Sequence, residues 1–322
     1  MREYVIRRLI LVVPGLIVLT ILVFGMVRLI PGDVVQIIAI QLSGGRGGGE
    51  VSPEVKAKLR RDLGLDKPIY IQYFVWMSSI VRGDLGNSLI TDFPIVKDLK
   101  KRFPITLELV FFTLVLMIVW GLSIGIISAV RQDSWLDYGL RSVAILGLSV
   151  PFFWTAILLL LFGSLWLNWS PPFGVNPFFE DPWANIQQFF VPAMILAISQ
   201  GSQVARMTRA TILEVLRQDY VRTARAKGLI ERTILVRHTL KNAMIPVVGL
   251  IGINFAFALG GTVILEQIWG LPGMGQLMLT AIKNRDYPVI QGVILFTGVL
   301  VMLVNLLVDI SYGWLNPRIH YQ

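Results

Sequence analysis

Six stretches of this chain are free of Asp, Glu, Lys and Arg: Leu9–Val27, Leu109–Val130, Ser142–Phe179, Ala184–Ala205, Asn242–Leu265 and Tyr287–Val308. A helix rising about 1.5 Å per residue crosses the hydrocarbon core of a bilayer with about 20 residues, and each stretch reaches that length. Inside hydrocarbon the backbone must satisfy its own hydrogen bonds, so stretches of this kind fold as helices. Ser142–Phe179 is longer than the rest, but Pro171, Pro172 and Pro177 cut it, and its helix is expected to end near Leu167. The expected fold class is an all-α polytopic membrane protein with six transmembrane helices. A mean hydropathy of +0.68 and 55% hydrophobic residues in 322 leave too little polar surface for an ordinary soluble fold.

Lys and Arg then set the orientation. Arg2, Arg7 and Arg8 precede the first span, Arg131 and Arg141 lie between the second and third, and nine Lys and Arg from Arg206 to Lys241 lie between the fourth and fifth. Asn168–Trp183 holds none. Both termini are therefore expected in the cytoplasm. Basic residues before an apolar run resemble a secretion signal, but the run is too long and no small-residue cleavage site follows, so an uncleaved first helix is expected. The organisation that results is a first transmembrane helix over 1–31, an extracytoplasmic segment over 32–103, a five-helix core over 104–315 containing the loop 209–245, and a cytoplasmic tail over 316–322. Within the external segment, Ser52-Pro53-Glu54 is a helix start of the hydroxyl-cap, proline and acid type, predicting a helix to about Asp62. A second amphipathic stretch, Tyr70–Val81, precedes the turn Arg82-Gly-Asp-Leu-Gly86.

Several chemistries are excluded. The net charge of +9 sits mostly beside the spans, which points to topology and anionic membrane lipid rather than nucleic acid. Zero cysteine rules out disulfides, zinc–thiolate sites and thiol catalysis. Gly121-Leu-Ser123-Ile-Gly125 matches a serine-nucleophile pattern, but the two histidines, His238 and His320, lie outside the spans. The same glycines at four-residue spacing read better as a helix-packing face. There is no phosphate-cradling glycine loop with its lysine, and the glycines at 44–49 lack one. Glu108 and Asp309 lie near span ends, where they can pair, so neither makes a mid-membrane proton relay. No catalytic residue, metal site or cofactor is expected in this chain, and a self-sufficient ion-coupled carrier is the reading from a different class.

Two groups of residues remain as candidates. The first is the segment Asp219-Tyr-Val-Arg222-Thr223-Ala224-Arg-Ala226-Lys227-Gly228, a basic helix whose small residues would let a partner approach and whose Gly228 permits a left-handed turn at its end. Leu229 and Ile230 would give it an apolar tip. A basic amphipathic helix can instead lie on the membrane surface, and spacing alone leaves both readings open. The second group is Ser199, Gln200 and Gln203 on the fourth span with Asn254 on the fifth. They would either line a polar path or join helices by hydrogen bonds.

The segment Asp219–Gly228, continued by Arg237-His-Thr-Leu-Lys-Asn-Ala-Met-Ile-Pro246, resembles the ATPase-docking loop of the permease subunits of bacterial ABC importers, in the dipeptide/oligopeptide/nickel permease family. Arg222, Thr223 and Ala224 stand where the wider pattern has Glu-Ala-Ala, and Gly228 keeps its glycine. Leu63-Gly-Leu-Asp-Lys-Pro68, Gly83-Asp-Leu-Gly86, Arg102-Phe-Pro-Ile-Thr-Leu107, Trp269-Gly-Leu-Pro-Gly-Met-Gly275, Arg285-Asp-Tyr-Pro288 and Asn316-Pro-Arg-Ile-His-Tyr321 are similar to the first permease of such systems, with Asn316 in place of an expected Asp. The resemblance implies a type I ABC importer permease fold in the bacterial inner membrane. It also implies a paralogous permease, two ATPase subunits that bind ATP and magnesium, and an extracytoplasmic binding protein as partners. Asp219, Arg222, Thr223, Ala224, Ala226, Lys227 and Gly228 would form the coupling loop. Short peptides are the implied cargo; nickel complexes, glutathione and oligosaccharides use permeases of the same kind. The external turn Trp269–Gly275 could contact the binding protein, plug the path or cap the bundle.

Overall fold

The computed structural model describes residues 2–29, 54, 57, 61, 66–172 and 174–315. The described residues are helical almost throughout: α1 (Arg2–Leu29), α2 (Ile69–Val81), α3 (Ile95–Val130), α4 (Trp135–Ser149), α5 (Phe152–Leu167), α6 (Pro182–Leu216), α7 (Asp219–Ala226), α8 (Glu231–Trp269), α9 (Met274–Asn284) and α10 (Tyr287–Leu315). Residues Ile234–Thr239 inside α8 take the wider π-helical winding. The helix expected over Ser52–Asp62 and the tail from 316 lie outside the described residues, apart from helical backbone at 54, 57 and 61.

Ile6–Met26 of α1, α3, α8 and Tyr287–Ser311 of α10 are each long and apolar enough to cross a membrane. The pair α4–α5 makes a fifth such span if it counts as one. The third expected span is not a single helix. It bends by 93° between Ser149 and Phe152, because Pro151 forces Val150 into extended backbone (φ −93°, ψ 122°) and ends α4. Past the corner the chain does stop at Leu167, where Asn168 turns left-handed (φ 47°). The fourth expected span lies within α6, whose hydropathy is lowered by Asn185, Gln188, Gln200 and Ser202; all four are buried in protein.

Contacts divide the chain into two units. Unit 1 holds residues 1–10, 104–276 and 301–322, and unit 2 holds 11–103 and 277–300. The core of unit 1 is built from Leu109 and Val110 of α3, Ala156 of α5, Phe189 and Leu196 of α6, and Phe255 and Leu265 of α8. With lipid as apolar as these side chains, close packing rather than water exclusion holds such helices together. The Gly121/Gly125 face shows how: a methyl on Gly121 would come within 2.8 Å of the Gly201 carbonyl, and one on Gly125 within 2.7 Å of the Ala205 carbonyl. Ser123, between them, is exposed. In unit 2, Leu19 of α1 packs onto Gly298 of α10, and Thr20 shares a 2.8 Å hydrogen bond with Tyr73 of α2.

Candidate functional site

The connection from α6 to α8 is folded back on itself. Gln218 is extended and Asp219 opens α7, an eight-residue helix whose apolar side is Val221 and Ala224, three residues apart. Both are buried against Ile234 and Leu216. Ala224 therefore serves the loop's own packing, contrary to its expected exposure. Asp219, Arg222, Thr223, Ala226, Lys227 and Gly228 are exposed. Gly228 takes φ +78°, the left-handed region that a side chain strains, and Leu229 then bonds back to the Ala224 carbonyl at 3.3 Å. Leu229 and Ile230 form an exposed apolar tip, Ile230 at 67%.

Three contacts hold this loop in shape. Arg225 reaches across the Gly228 turn to Glu231 with both a 2.8 Å and a 3.3 Å hydrogen bond, and that carboxylate pushes the Arg225 guanidinium further above its usual range. The pair is open to solvent and adds little stability; its effect is on geometry. The Asn242 amide donates to the Tyr220 hydroxyl at 2.8 Å, and that hydroxyl donates to the His238 carbonyl at 3.4 Å. These tie α7 to the π-helical start of α8.

Below the loop, α6 is locked to α3 and α4 by a group that sequence reasoning missed. Asp137, fully buried in the first turn of α4, accepts from Arg209 Nε at 3.0 Å and Nη2 at 2.7 Å. It also accepts from the Ser128 hydroxyl and from the Asp133 amide at 3.0 Å. Bidentate pairing with every remaining lone pair used is the arrangement in which a buried carboxylate is tolerable.

The far end of α8 carries a second buried carboxylate. Glu266 accepts from the Thr106 hydroxyl at 2.6 Å and from the Gln276 amide at 3.1 Å, while Thr106 accepts from the Met274 amide at 2.8 Å. The turn Trp269–Gly275 is thus pinned to α3 and to the start of α9. A methyl on Gly273 would strike the Glu266 carboxylate, and one on Gly275 the Val263 Cα, so glycine alone fits at both. The signal was present: Glu266 directly follows the charge-free run that ends at Leu265. In unit 2, Asp286 plays a similar part. It accepts from the Ser88 hydroxyl at 2.5 Å and from the Leu89 amide at 3.2 Å, joining the Arg285–Pro288 turn to the segment after Gly83–Gly86.

The four polar residues of the expected path do not share one surface. Gln200 and Asn254 are buried, and Gln200 Oε1 and Asn254 Nδ2 have no hydrogen-bond partner among the described residues. Gln203 is exposed. Ser199 lines a cavity of about 670 Å³ between α4, α5 and α6. At the span ends, Glu108 accepts from Asn185 at 2.8 Å and Asp309 pairs with Arg8 at 3.0 Å.

Known proteins match this chain along its whole length. Residues 121–321 match the family described as binding-protein-dependent transport system inner membrane component, and residues 1–110 match that family's N-terminal region. The dipeptide transport system permease protein of Alkalihalophilus pseudofirmus is 37% identical over 341 residues, covering both chains fully. The glutathione transport system permease protein of Escherichia coli (strain K12) is 38% identical over 322 residues, again with full coverage of both. The structure of the inward-facing MetNI methionine ABC transporter superposes with a TM-score of 0.55 at 18% identity, covering 68% of this chain and 96% of that one, a likeness of fold. The chain is therefore a multi-pass permease belonging to the family of inner-membrane components of binding-protein-dependent transport systems.

Proposed function

We propose that this permease imports short peptides, and that its α7 loop is the surface on which separate ATPase subunits act. The observation that carries the reading is the shape of the loop: a cationic helix edge, a left-handed Gly228 and an exposed Leu229–Ile230 tip, all held without a partner. Asp219, Arg222, Thr223, Ala226, Lys227 and Gly228 face outward for docking, while Ala224 supports them from inside. Six spans are taken, with α6 as the fourth, and both termini are taken as cytoplasmic, which puts this loop on the side where ATP is available. ATP and magnesium belong to the partner ATPases, and the chain itself hydrolyses nothing. A paralogous permease, two ATPase subunits and an external binding protein complete the assembly.

The path between states runs past Ser199, Gln200, Gln203 and Asn254. Two buried polar atoms without partners are costly in a resting structure, and a path that admits water or cargo in the other state would satisfy them. Peptide is favoured as cargo by the dipeptide permease relative; the glutathione permease relative at 38% identity supports glutathione as a second reading. The test is to purify the tagged chain from its native membrane in mild detergent and identify what accompanies it. A second permease with ATPase subunits, stimulated by peptide-loaded binding protein in proteoliposomes, is the expected result. A stable chain free of any ATPase would overturn the docking assignment and revive the carrier.

A further inference from the structure

A cavity of about 290 Å³ opens between α3, α4 and α6 in unit 1, and its lining has two parts. The body is apolar, with Ile124, Ala144, Leu148 and Ala205 on its walls. The rim is cationic, formed by Arg141, Arg206 and Arg209. Arg209 is neutralised by Asp137. Arg141 and Arg206 are exposed, and neither has a carboxylate partner among the described residues. The depth of the rim follows from sequence: Arg141 immediately precedes the charge-free run that opens at Ser142, and Arg206 immediately follows the run that closes at Ala205. Both arginines thus border charge-free runs of the length that crosses hydrocarbon, and the wall residues Ala144, Leu148 and Ala205 belong to those runs, with Ile124 their neighbour on α3. Trp135 (93% exposed) and Tyr138 lie in the first turn of α4 and are of the residue types that settle at headgroup level; the Arg141 guanidinium lies 5.8 Å from the Tyr138 ring centre.

We propose that this cavity binds one anionic glycerophospholipid, its phosphate held between Arg141 and Arg206 and one acyl chain lying in the slot against Ala144 and Leu148. Charge chooses the headgroup, because two unpaired guanidinium groups at the membrane surface favour an anion. Shape chooses a lipid over a free anion, because most of the lining can interact only with hydrocarbon. The inference rests on the chain's being a membrane protein and not on the nature of its cargo.

The test is native mass spectrometry on the full chain, purified with whatever subunits assemble with it, titrated with phosphatidylglycerol, with phosphatidylcholine of the same acyl chains, and with inorganic phosphate. One phosphatidylglycerol per permease chain is expected, preferred over phosphatidylcholine by roughly thirtyfold for two arginines. The double variant Arg141→Gln/Arg206→Gln should lose the preference; both side chains are exposed, so folding is not at stake. Ala144→Phe, and separately Leu148→Trp, should obstruct the slot and reduce phosphatidylglycerol binding with both arginines in place. Equal binding of the two lipids, or an unchanged preference in the double variant, would overturn the proposal. So would displacement of lipid by inorganic phosphate, which would make this a free-anion site. Binding by the isolated chain that vanishes when other subunits are present would overturn it too, and would assign the face to a protein partner.

Discussion

Asp137 and Arg209 stand 72 residues apart in sequence, yet the guanidinium meets the carboxylate with two parallel hydrogen bonds, at 3.0 and 2.7 Å. One belongs to the first turn of α4 and the other to the last third of α6, so the pair fixes where α6 delivers the chain into the α7 loop. Removing only the cation leaves a buried charge with its strongest partner gone. Arg209→Ala is expected to destabilise the permease by about 3–5 kcal/mol, whereas the paired change Asp137→Leu/Arg209→Met should cost much less. Thermal unfolding of the purified complex, with the two variants side by side, checks this; equal losses would mean that the pair contributes packing and not charge compensation.

Gly228 is a separate case, because nothing lies within 4 Å of a methyl placed there. Its intrinsic constraint is φ +78°, worth about 1–2 kcal/mol for an ordinary L-residue and less for Asn. Gly228→Asn should therefore be nearly silent and Gly228→Ala mild. Gly228→Trp should insert normally while ATP hydrolysis no longer drives uptake, since its bulk would meet only the docked ATPase. Uptake into vesicles together with ATPase rates decides the matter, and unimpaired transport by the Trp variant would remove the loop from coupling.

The Glu266 anchor predicts a steep cost for small changes. Gly275→Ala drives a methyl into the Val263 backbone and should reduce the amount of folded permease severely, as measured by size-exclusion recovery. Thr106→Val takes the hydroxyl from Glu266 and leaves the Met274 amide unpaired, a loss of about 1–3 kcal/mol in thermal stability. A Gly275→Ala protein of wild-type stability would show that the Trp269–Gly275 turn moves freely away from α8.

For Asn254 and Gln200, stability and transport should separate. An apolar replacement of similar size, Asn254→Leu or Gln200→Leu, removes an unpartnered buried polar atom and is expected to leave unfolding unchanged or slightly later. Peptide uptake should fall at least tenfold if these residues line the path. Loss of stability with proportionate loss of uptake would assign them to helix packing instead.

Much of this was legible in the order of residues. Charge-free runs marked α1, α3, α8 and α10, three prolines placed the end of α5 at Leu167, and Gly121 with Gly125 pointed to a close helix contact. Gly228 read correctly as a left-handed turn because only local backbone chemistry decides it. The corner at Pro151 was hidden inside a run whose composition looks uniformly apolar. Asp137 with Arg209, and Glu266 with Thr106, could not be paired from sequence, since nothing local links residues 72 or 160 apart. Ala224 was given the wrong side because an eight-residue helix has too few apolar positions for its buried stripe to be distinguished from its exposed small residues.

The bend between Ser149 and Phe152 also dictates its own surroundings. Pro151 has no amide hydrogen to return to the Gly147 carbonyl, so the ladder of α4 closes with the Val150 amide on the Leu146 carbonyl and gives the Gly147 oxygen no helical i+4 donor. Acyl chains offer such oxygens nothing, and spanning segments keep interrupted backbone only where protein or water can reach it. The same corner, through Gly147, Val150 and Phe152, lines the cavity that Ser199 shares. A right angle in an apolar helix thus shapes a hollow: α4 and α5 present separate faces to one cavity, and a single proline within a charge-free run decides its wall.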